Sequence, residues 1–289
     1  MARSADAHTH LFSGGYRGSF AGRPGAVVDE TSCYASLMAD HQVQAALIVG
    51  YQDHDWCAEN NTYLAEILPL NEWMRPVAFV HLNRELSVSH LVALQRQGFV
   101  GISLYVFGDE AELGLARISS ACWAWLRAHN WLVSVNSSGP TWQTWYPILD
   151  QHPDLRLLVS HLGLPMRQAE APPPAAAVEA LTDVLALSRW PGPRVKLSGF
   201  YGLSEPGHDF PHRAAWPYVT ALIAHFGTRR LLWGSDYSPC LDSVSFPQTL
   251  AILQYLPGLT AVDRAAIGGE NLLELLDQVR SSPLSPQCC

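Results

Sequence analysis

Short apolar stretches alternate with longer segments of helical periodicity along most of the chain. The apolar stretches are rich in β-branched and aliphatic residues and are too short for helices, which favours buried β-strands. The predicted strands cover residues 3–8, 45–50, 76–81, 101–107, 131–135, 156–160, 194–198 and 230–233.

The longer segments repeat apolar residues at intervals of three and four positions, as amphipathic helices do. The predicted helices cover residues 60–68, 86–97, 119–128, 145–151, 175–187, 216–226, 246–256, 260–267 and 271–279.

A helix between successive strands makes those strands parallel, and eight such units close a (β/α)8 barrel. An open doubly wound sheet is the alternative, but no glycine-rich phosphate-binding motif follows a predicted strand. We therefore predict an α/β fold, a single (β/α)8 TIM barrel over residues 1–280, followed by a disordered tail at 281–289.

Composition narrows the class of partner. The chain has 289 residues, 48% of them hydrophobic, and a formal net charge of −8 at pH 7. It contains no cluster of basic residues and no apolar stretch of the ~18 residues that a membrane span needs, so neither nucleic acid nor a membrane is expected as a partner. Scattered cysteines without CxxC spacing and the lack of an N-terminal secretory pattern favour a reduced, cytoplasmic location. The expected partner is a small-molecule substrate.

Candidate chemistry comes from the polar residues that follow the predicted strands, since barrel enzymes hold their active sites at the carboxyl ends of the strands. His8 and His10 are two positions apart at the end of the first strand and therefore face the same side. Asp236 follows the last strand, which neighbours the first in a closed barrel, and His161 follows the sixth.

Each of these signals alone has a plain structural explanation; Asp236, for example, could simply cap a helix. Because these residues all lie at the ends of three strands, a functional role is favoured over three separate structural ones. The sequence therefore predicts a metal site formed by His8, His10, His161 and Asp236, in which Asp236 and His161 are also catalytic.

Four motifs extend this picture, because in their order and spacing they resemble those of the amidohydrolase superfamily. They are DAHTHLF, VSHLGLP, VKLSGFYG and FGTRRLLWGSDYSP. The resemblance covers roughly residues 3–279 and is to the branch that contains 2-pyrone-4,6-dicarboxylate lactonase, the sugar-acid lactonases and the aminocarboxymuconate-semialdehyde-type decarboxylases.

The resemblance implies a (β/α)8 barrel. It also places His8 and His10 at the first-strand metal position, and His161 and Asp236 at the functional positions of strands six and eight. It implies one divalent metal ion, zinc rather than manganese, and a homodimer as a family-level expectation.

Two positions depart from the family pattern. Asn136 ends the fifth strand where metal-dependent members usually place a histidine or a carboxylated lysine, and asparagine is a poor zinc ligand. A metal held by the remaining ligands and a metal-free site both stay open at this point. Ser103 stands in the fourth strand near the place where lactonases of this branch carry an arginine or a lysine. The missing cation predicts a less acidic and more apolar substrate.

Residues predicted to bind the substrate come from the same strand ends. Lys196 is the only lysine of the chain and lies in the seventh predicted strand, where it either contacts the substrate or neutralises buried acids. Histidines in the loops after strands two and seven either line the pocket or belong to the ordinary surface. The substrate-binding predictions are Lys196, Asn136, Tyr105, His54, His208 and Tyr237.

Two reactions use this set of groups. We predict a hydrolase that opens a cyclic ester, or a related C–O or C–N bond, of a small and weakly charged molecule, with Asp236 as the general base that activates water. The alternative is metal-dependent decarboxylation of a small unsaturated or aromatic acid. Decarboxylation needs a firm metal site and a cation for the carboxylate, and Asn136 and Ser103 weaken both requirements.

Overall fold

A computed structural model of the chain describes residues 4–17 and 27–280. Eight strands form one sheet, and each strand pairs in parallel with its neighbours in sequence. The strands are β1 (Ser4–Thr9), β2 (Val43–Val49), β3 (Met74–Phe79), β4 (Gly101–Val106), β5 (Leu132–Ser137), β6 (Arg156–Val159), β7 (Arg194–Leu197) and β8 (Leu231–Trp233). The predicted strands and their order are confirmed, with small shifts in their bounds.

The sheet closes into a barrel where β8 meets β1. Thr9 forms a parallel bridge with Tyr237, which follows β8, and the backbone amide of Asp236 donates a hydrogen bond to the carbonyl of His8 at 2.7 Å. The fold is therefore a (β/α)8 TIM barrel, as predicted. Closure places the carboxyl end of β1 beside the residues that follow β8, although these segments lie at opposite ends of the sequence.

Helices connect the strands and pack around the barrel. They are α1 (Glu30–His41), α2 (Asn60–Ile67), α3 (Val88–Arg96), α4 (Gly108–Arg117), α5 (Ser120–Ala128), α6 (Tyr146–Gln151), α7 (Pro174–Ala180), α8 (Thr182–Ala186), α9 (Phe200–Leu203), α10 (Trp216–Phe226), α11 (Phe246–Tyr255), α12 (Ala261–Ala265) and α13 (Asn271–Arg280). None of the described helices is long and apolar enough to cross a membrane.

The helix prediction misses α1, α4 and α9 and merges α7 with α8, which are separated at Leu181. α1 escapes notice because Tyr34 and Met38 are its only buried apolar residues, too few for a periodic signal. The predicted tail at 281–289 lies outside the described part of the chain.

Apolar residues bury the strands on both faces. A large cluster joins strand residues such as Ile48 and Val133 to helix residues such as Leu64 and Leu126. A smaller cluster unites further strand residues, Leu47 among them, with leucines of α13. Strands buried on both faces read as continuous apolar runs, which is why they stand out in this sequence. Polar side chains that directly follow such runs therefore mark candidate functional positions.

The buried carboxylate of Asp6 stabilises the junction between β1 and the residues that follow β8. It accepts hydrogen bonds from the backbone amides of His8 (3.0 Å) and Ser235 (2.9 Å) and from the hydroxyls of Thr9 (2.9 Å) and Tyr34 (2.8 Å). Burial raises the pKa of Asp6, and the hydrogen bonds oppose that rise. One side chain thus ties β1 to the chain after β8 and to α1.

Asp6→Asn should lower the free energy of unfolding by about 3 kcal/mol, because an amide NH2 group must then face hydrogen-bond donors inside the protein. Tyr34→Phe removes a single one of these hydrogen bonds and should cost about 1 kcal/mol. Urea unfolding followed by circular dichroism measures both values. Equal losses in the two variants, or no loss in Asp6→Asn, would contradict the role given to Asp6.

Candidate active site

Three histidines and one aspartate converge at the carboxyl end of the barrel. The Nε2 atoms of His8 and His10 lie 3.1 Å apart, and Asp236 Oδ1 lies 3.6 Å from the first and 3.7 Å from the second. The rings of His161 and His8 have a centroid separation of 4.4 Å, and His161 Nδ1 lies 4.0 Å from Asp236 Oδ2. The structure thus brings the four residues predicted as ligands into one cluster.

Backbone conformation at the strand ends positions two of these side chains. His161 follows β6 with φ 50° and Asp236 follows β8 with φ 58°, both in the left-handed region that non-glycine residues seldom occupy. Such conformations cost roughly 1–3 kcal/mol and persist where the surroundings enforce them, which is common at functional sites. Gly199, after β7, also has a positive φ of 65°, and a Cβ there would lie 2.4 Å from His161 Nδ1.

Burial sets the charge of the cluster. It lowers the pKa of His10 to about 4 and that of His161 to about 3, and it lowers the pKa of His8 well below its ordinary value. The same desolvation raises the pKa of Asp236 to about 7, although a hydrogen bond from Tyr201 opposes the rise. At neutral pH the imidazoles are therefore uncharged, and Asp236 is close to its own pKa.

Hydrogen bonds fix the roles of individual atoms. His10 Nδ1 lies 2.7 Å from the carbonyl oxygen of Val49. A carbonyl only accepts, so Nδ1 carries the proton and Nε2 presents its lone pair to the cluster. The hydroxyl of Tyr201 donates to Asp236 Oδ2 at 2.6 Å. Asp236 Oδ1 is left facing the two histidines of β1.

Lys196 stands behind the cluster rather than in the open cavity. Its Nζ donates to Ser134 Oγ at 2.6 Å and lies 3.3 Å from His8 Nδ1. Burial lowers the pKa of Lys196 to about 7, so the neutral amine is accessible. When His8 presents its Nε2 lone pair, its proton resides on Nδ1, and the amine of Lys196 accepts it in a hydrogen bond. Lys196 thereby acts on His8, not on a molecule in the cavity.

The donor set fits a divalent metal ion. Zinc bonds of about 2.0–2.1 Å in a tetrahedral site place ligand atoms roughly 3.3 Å apart. The separations among His8, His10 and Asp236, from 3.1 to 3.7 Å, bracket that distance. His8, His161 and Asp236 also offer ligand atoms that all lie within 4.8 Å of one another. The set reaches four candidate ligands without Asn136, and its imidazoles are in the neutral form that binds metal.

A cavity of about 930 Å³ opens above the cluster and includes His10, His161 and Asp236 in its wall. Among the described residues that line it, Arg17 is the only side chain with a permanent positive charge, and Asp55 and Asp236 lie in the same wall. The remaining wall is largely aromatic, formed by Phe12, Tyr16, Tyr51, Trp56, Tyr105 and Phe107.

The residues predicted to bind substrate occupy different places. His54, Tyr105 and Asn136 line the cavity. Tyr237 is buried with its ring 4.9 Å from that of Tyr34, away from the cavity, and its backbone carbonyl accepts a hydrogen bond from the amide of His10. His208 is exposed and is not part of the cavity wall. The geometry gives no support to a substrate contact by either of these two residues.

Several contacts of the site lie beyond the sequence prediction. Tyr201 bonds Asp236, Ser198 Oγ lies 3.0 Å from His161 Nδ1, and Ser134 bonds Lys196. Serine and tyrosine are common residues and form no recognisable metal-binding motif, so their role at the site cannot be read from the sequence. Only their position could have pointed to it, since Ser198 and Tyr201 lie within four residues after β7, at the same end of the barrel.

Gly199→Ala should lower the free energy of unfolding by about 2–3 kcal/mol, because the new methyl group meets the His161 ring and the left-handed backbone becomes strained. Gly202→Ala is the matched control, since a Cβ there meets nothing within 4 Å. Gly202 lies in α9, so this change should leave stability equal or slightly higher. Thermal unfolding measures both, and equal melting temperatures would refute the tight contact.

Known proteins resemble this chain both in sequence and in fold. The profile of the amidohydrolase family matches residues 5–277 of the chain. A zinc-bound amidohydrolase from Burkholderia multivorans gives a TM-score of 0.77 at 18% identity, covering 96% of this chain and 99% of that chain. A protein described as a 2-pyrone-4,6-dicarboxylic acid hydrolase from Pseudomonas putida gives 0.69 at 23% identity, covering 96% and 98%. The 2,6-dihydroxybenzoate decarboxylase from Rhizobium gives 0.62 at 13% identity, covering 96% and 99%.

No curated protein matches the chain. At these identities the structural likeness establishes the fold, while the family match extends over nearly the whole sequence. The resemblance drawn from the sequence motifs is confirmed, and structures named for hydrolases and for a decarboxylase both occur among the similar folds. The chain belongs to the amidohydrolase family.

Proposed function

We propose that the protein is a hydrolase that opens a cyclic ester, or a related C–O or C–N bond, of a small and weakly charged molecule, with Asp236 as the general base. The observation that carries this proposal is the environment of Asp236. Burial raises the pKa of this carboxyl to about 7, and it faces a cavity large enough for a small ring. A base whose pKa lies near the working pH is most effective in proton transfer.

The two oxygens of Asp236 have separate tasks. Oδ2 accepts the hydrogen bond from Tyr201, which holds the carboxylate plane in place. Oδ1 faces His8 and His10, and Asp236 also lines the cavity, where a water molecule can reach its carboxylate. A water in that position loses its proton to the carboxylate as its oxygen attacks the carbonyl carbon of the substrate, and Asp236 then returns this proton to the leaving oxygen or nitrogen as the ring bond breaks.

His161 stabilises the charge that develops on the carbonyl oxygen. It lines the cavity, and its Nδ1 pairs with the hydroxyl of Ser198. When Ser198 donates to Nδ1, the neutral ring carries its proton on Nε2, which can donate to an oxyanion. The low pKa of His161 keeps this ring uncharged at neutral pH.

We propose His8, His10 and Asp236 as ligands of one divalent metal ion; His161 is the fourth candidate, and it would bind the ion in place of its contact with Ser198 or with the carbonyl oxygen. Imidazole-rich sites favour zinc over manganese, whose preferred ligands are oxygens. When bound, such an ion polarises a carbonyl group and lowers the pKa of a water molecule towards ~7. The carbonyl of Val49 beside His10 and the amine of Lys196 beside His8 would orient the two rings for metal binding.

The cavity favours hydrolysis of a neutral ring over decarboxylation. A substrate carboxylate needs a cation, and within the described wall Arg17 is the single permanent one, beside the acidic residues Asp55 and Asp236 of the same wall. Aromatic walls instead favour flat, apolar rings. The decarboxylase alternative has a similar fold on its side, but among the described lining residues Arg17 is the one permanent cation that a substrate carboxylate would meet.

Activity towards neutral ring esters tests the proposal. The wild-type protein should hydrolyse members of a panel that contains dihydrocoumarin and simple five- and six-membered lactones. Asp236→Asn should reduce kcat at least ~1000-fold with the fold intact, because the amide cannot accept the proton. Asp40→Asn, an exposed change on α1, is the matched control and should keep full activity. Decarboxylation of dihydroxybenzoates in place of ester hydrolysis would overturn the proposal.

The pH dependence should follow Asp236. The base acts as carboxylate, so kcat/KM should fall about tenfold per pH unit on the acidic side of the pKa of Asp236, which is about 7 without a metal ion and lower when Asp236 holds one. Tyr201 lowers the pKa of Asp236 by donating to its carboxylate. Tyr201→Phe removes this donor, so the acidic limb of the profile should move to higher pH. A limb that moves to lower pH, or stays in place, would assign the profile to another group.

A further inference from the structure

Glu30 is a buried carboxylate that the proposed reaction does not use. It is the first residue of α1, it is 3% exposed, and it is not among the described residues of the cavity wall. Its Oε2 accepts a hydrogen bond from the backbone amide of Phe12 at 2.8 Å, and its Oε1 accepts one from the amide of Tyr16 at 2.7 Å. The hydroxyl of Ser238 also donates to Oε1. These donors compensate the carboxylate for its lost hydration.

The three donors come from the two loops that flank the junction between β8 and β1. Phe12 and Tyr16 belong to the loop after β1, and both line the cavity. Ser238 belongs to the loop after β8, between the lining residues Asp236 and Pro239. One carboxylate on α1 thus joins two segments of the cavity wall that are distant in the sequence.

The helix α1 gives Glu30 a fixed position. Tyr34 and Met38 bury one side of this helix, and the hydroxyl of Tyr34 donates to Asp6 at the junction. The carboxylate of Glu30 also lies in the first helical turn, where the free backbone amides favour a negative charge. The loop after β1 is therefore bonded to a helix that is itself packed on the barrel.

The loop after β1 carries two of three aromatic rings that contact one another in the cavity wall. The ring centroids of Phe12 and Trp56 lie 4.8 Å apart, and the ring of Tyr16 lies 5.9 Å from each of them. Such separations are typical of favourable aromatic pairs. Phe12 also stacks on His10 at 5.8 Å with an interplanar angle of 8°. Phe12, Tyr16 and Trp56, the Phe12 cluster, thus form an aromatic surface beside the histidines.

Other parts of the wall are held in different ways. Tyr105 lies within β4, where pairing with β5 fixes its backbone. The side chain of Asn60 on α2 donates to the carbonyl of Leu11, which holds the start of the loop after β1. Beyond that point, the carboxylate of Glu30 bonds the amides of Phe12 and Tyr16. The position of the Phe12 cluster therefore depends on Glu30 more than the strand-borne part of the wall does.

We propose that Glu30 is a positioning residue for substrate recognition, which holds the loop after β1 so that the Phe12 cluster binds the flat ring of an aromatic substrate. Glu30 acts through the backbone of Phe12 and Tyr16 and does not touch the substrate. This inference rests on the proposed function in taking the cavity as the substrate site. It narrows the substrates of that hydrolysis to cyclic esters or amides fused to an aromatic ring.

The substitution Glu30→Gln changes the hydrogen bonding at nearly constant shape. A side-chain amide has one oxygen acceptor, so its NH2 group faces the amide of Phe12 in one orientation and that of Tyr16 in the other. One loop amide loses its acceptor in either case. Hydrogen exchange followed by mass spectrometry should therefore show faster exchange in residues 11–17 of the variant and unchanged exchange in β4. Equal exchange of residues 11–17 in the two proteins would show that Glu30 does not hold the loop.

Two six-membered lactones separate ring recognition from reaction, because dihydrocoumarin carries a fused aromatic ring and δ-valerolactone does not. In Glu30→Gln, KM for dihydrocoumarin should rise about tenfold, as expected for the loss of one aromatic contact. Its kcat, and KM for δ-valerolactone, should each change less than about threefold. Glu179→Gln, an exposed change on α7, is the matched control and should leave all these values unchanged.

Binding of 2-tetralone tests recognition apart from hydrolysis. This ketone has the shape of dihydrocoumarin with a methylene group in place of the ring oxygen, so it has no ester bond to open. Its dissociation constant, measured by isothermal titration calorimetry, should rise about tenfold in Glu30→Gln. A wild-type protein that hydrolyses no lactone but binds 2-tetralone in this Glu30-dependent way would refute the proposed function and leave the role of Glu30 standing.

Three further results would overturn the inference. They are an equal rise in KM for both lactones, a fall in kcat at unchanged KM, and binding of 2-tetralone that is unmeasurable or independent of Glu30. A fall in kcat alone would mean that Glu30 acts on Asp236 through Ser238 instead of on the Phe12 cluster. Thermal unfolding and zinc content show whether the variant keeps its fold and its histidine cluster.

A second variant covers the case in which Glu30→Gln does not fold. Glu30→Asp keeps the charge but shortens the side chain by one methylene group, so its carboxylate reaches the loop amides less well. It should show the same selective rise in KM for dihydrocoumarin and the same weaker binding of 2-tetralone, each on a smaller scale. Unchanged values in folded Glu30→Asp would then contradict the proposed role.

Discussion

Closure of the barrel between β8 and β1 is the constraint on which the whole site depends. The backbone bond from Asp236 to His8 and the carboxylate of Asp6 hold two distant parts of the sequence in one place. Without this junction, Asp236 and the histidines of β1 would have no common position. The junction consists of hydrogen bonds inside an apolar wall, where an unpaired group is costly and a paired one is held firmly. The geometry of the cluster is therefore set by the fold before any ligand arrives.

Burial then gives this geometry its chemistry. The same removal of water lowers the pKa values of His8, His10 and His161 and raises that of Asp236. Neutral imidazoles suit metal binding, and a carboxyl near neutrality suits proton transfer. A single physical cause thus prepares both the proposed ligands and the proposed base. The aromatic wall of the cavity continues this environment outwards, and among its described residues Arg17 carries the one permanent positive charge.

The sequence predicts those parts of the structure that apolar patterning specifies. Strands buried on both faces are visible as apolar runs, and His8, His10, His161 and Asp236 are visible because they interrupt such runs at their ends. α1 is not visible, because Tyr34 and Met38 are its only buried apolar residues. The contact of Tyr201 with Asp236 and the pairing of Tyr105 with Asn136 across β4 and β5 depend on loop conformation and strand register. The periodicity of apolar and polar residues along the sequence specifies neither strand register nor loop conformation.

The metal content of the purified protein is the decisive measurement, since the proposed site requires the converging histidines to bind an ion together. Mass spectrometry should find about one equivalent of zinc per wild-type chain after growth with zinc. The His8→Ala/His10→Ala variant should lose it, whereas His90→Ala/His208→Ala, which removes two exposed histidines, should keep it. Folded wild-type protein without a divalent metal, or equal metal content in all three proteins, would contradict the account.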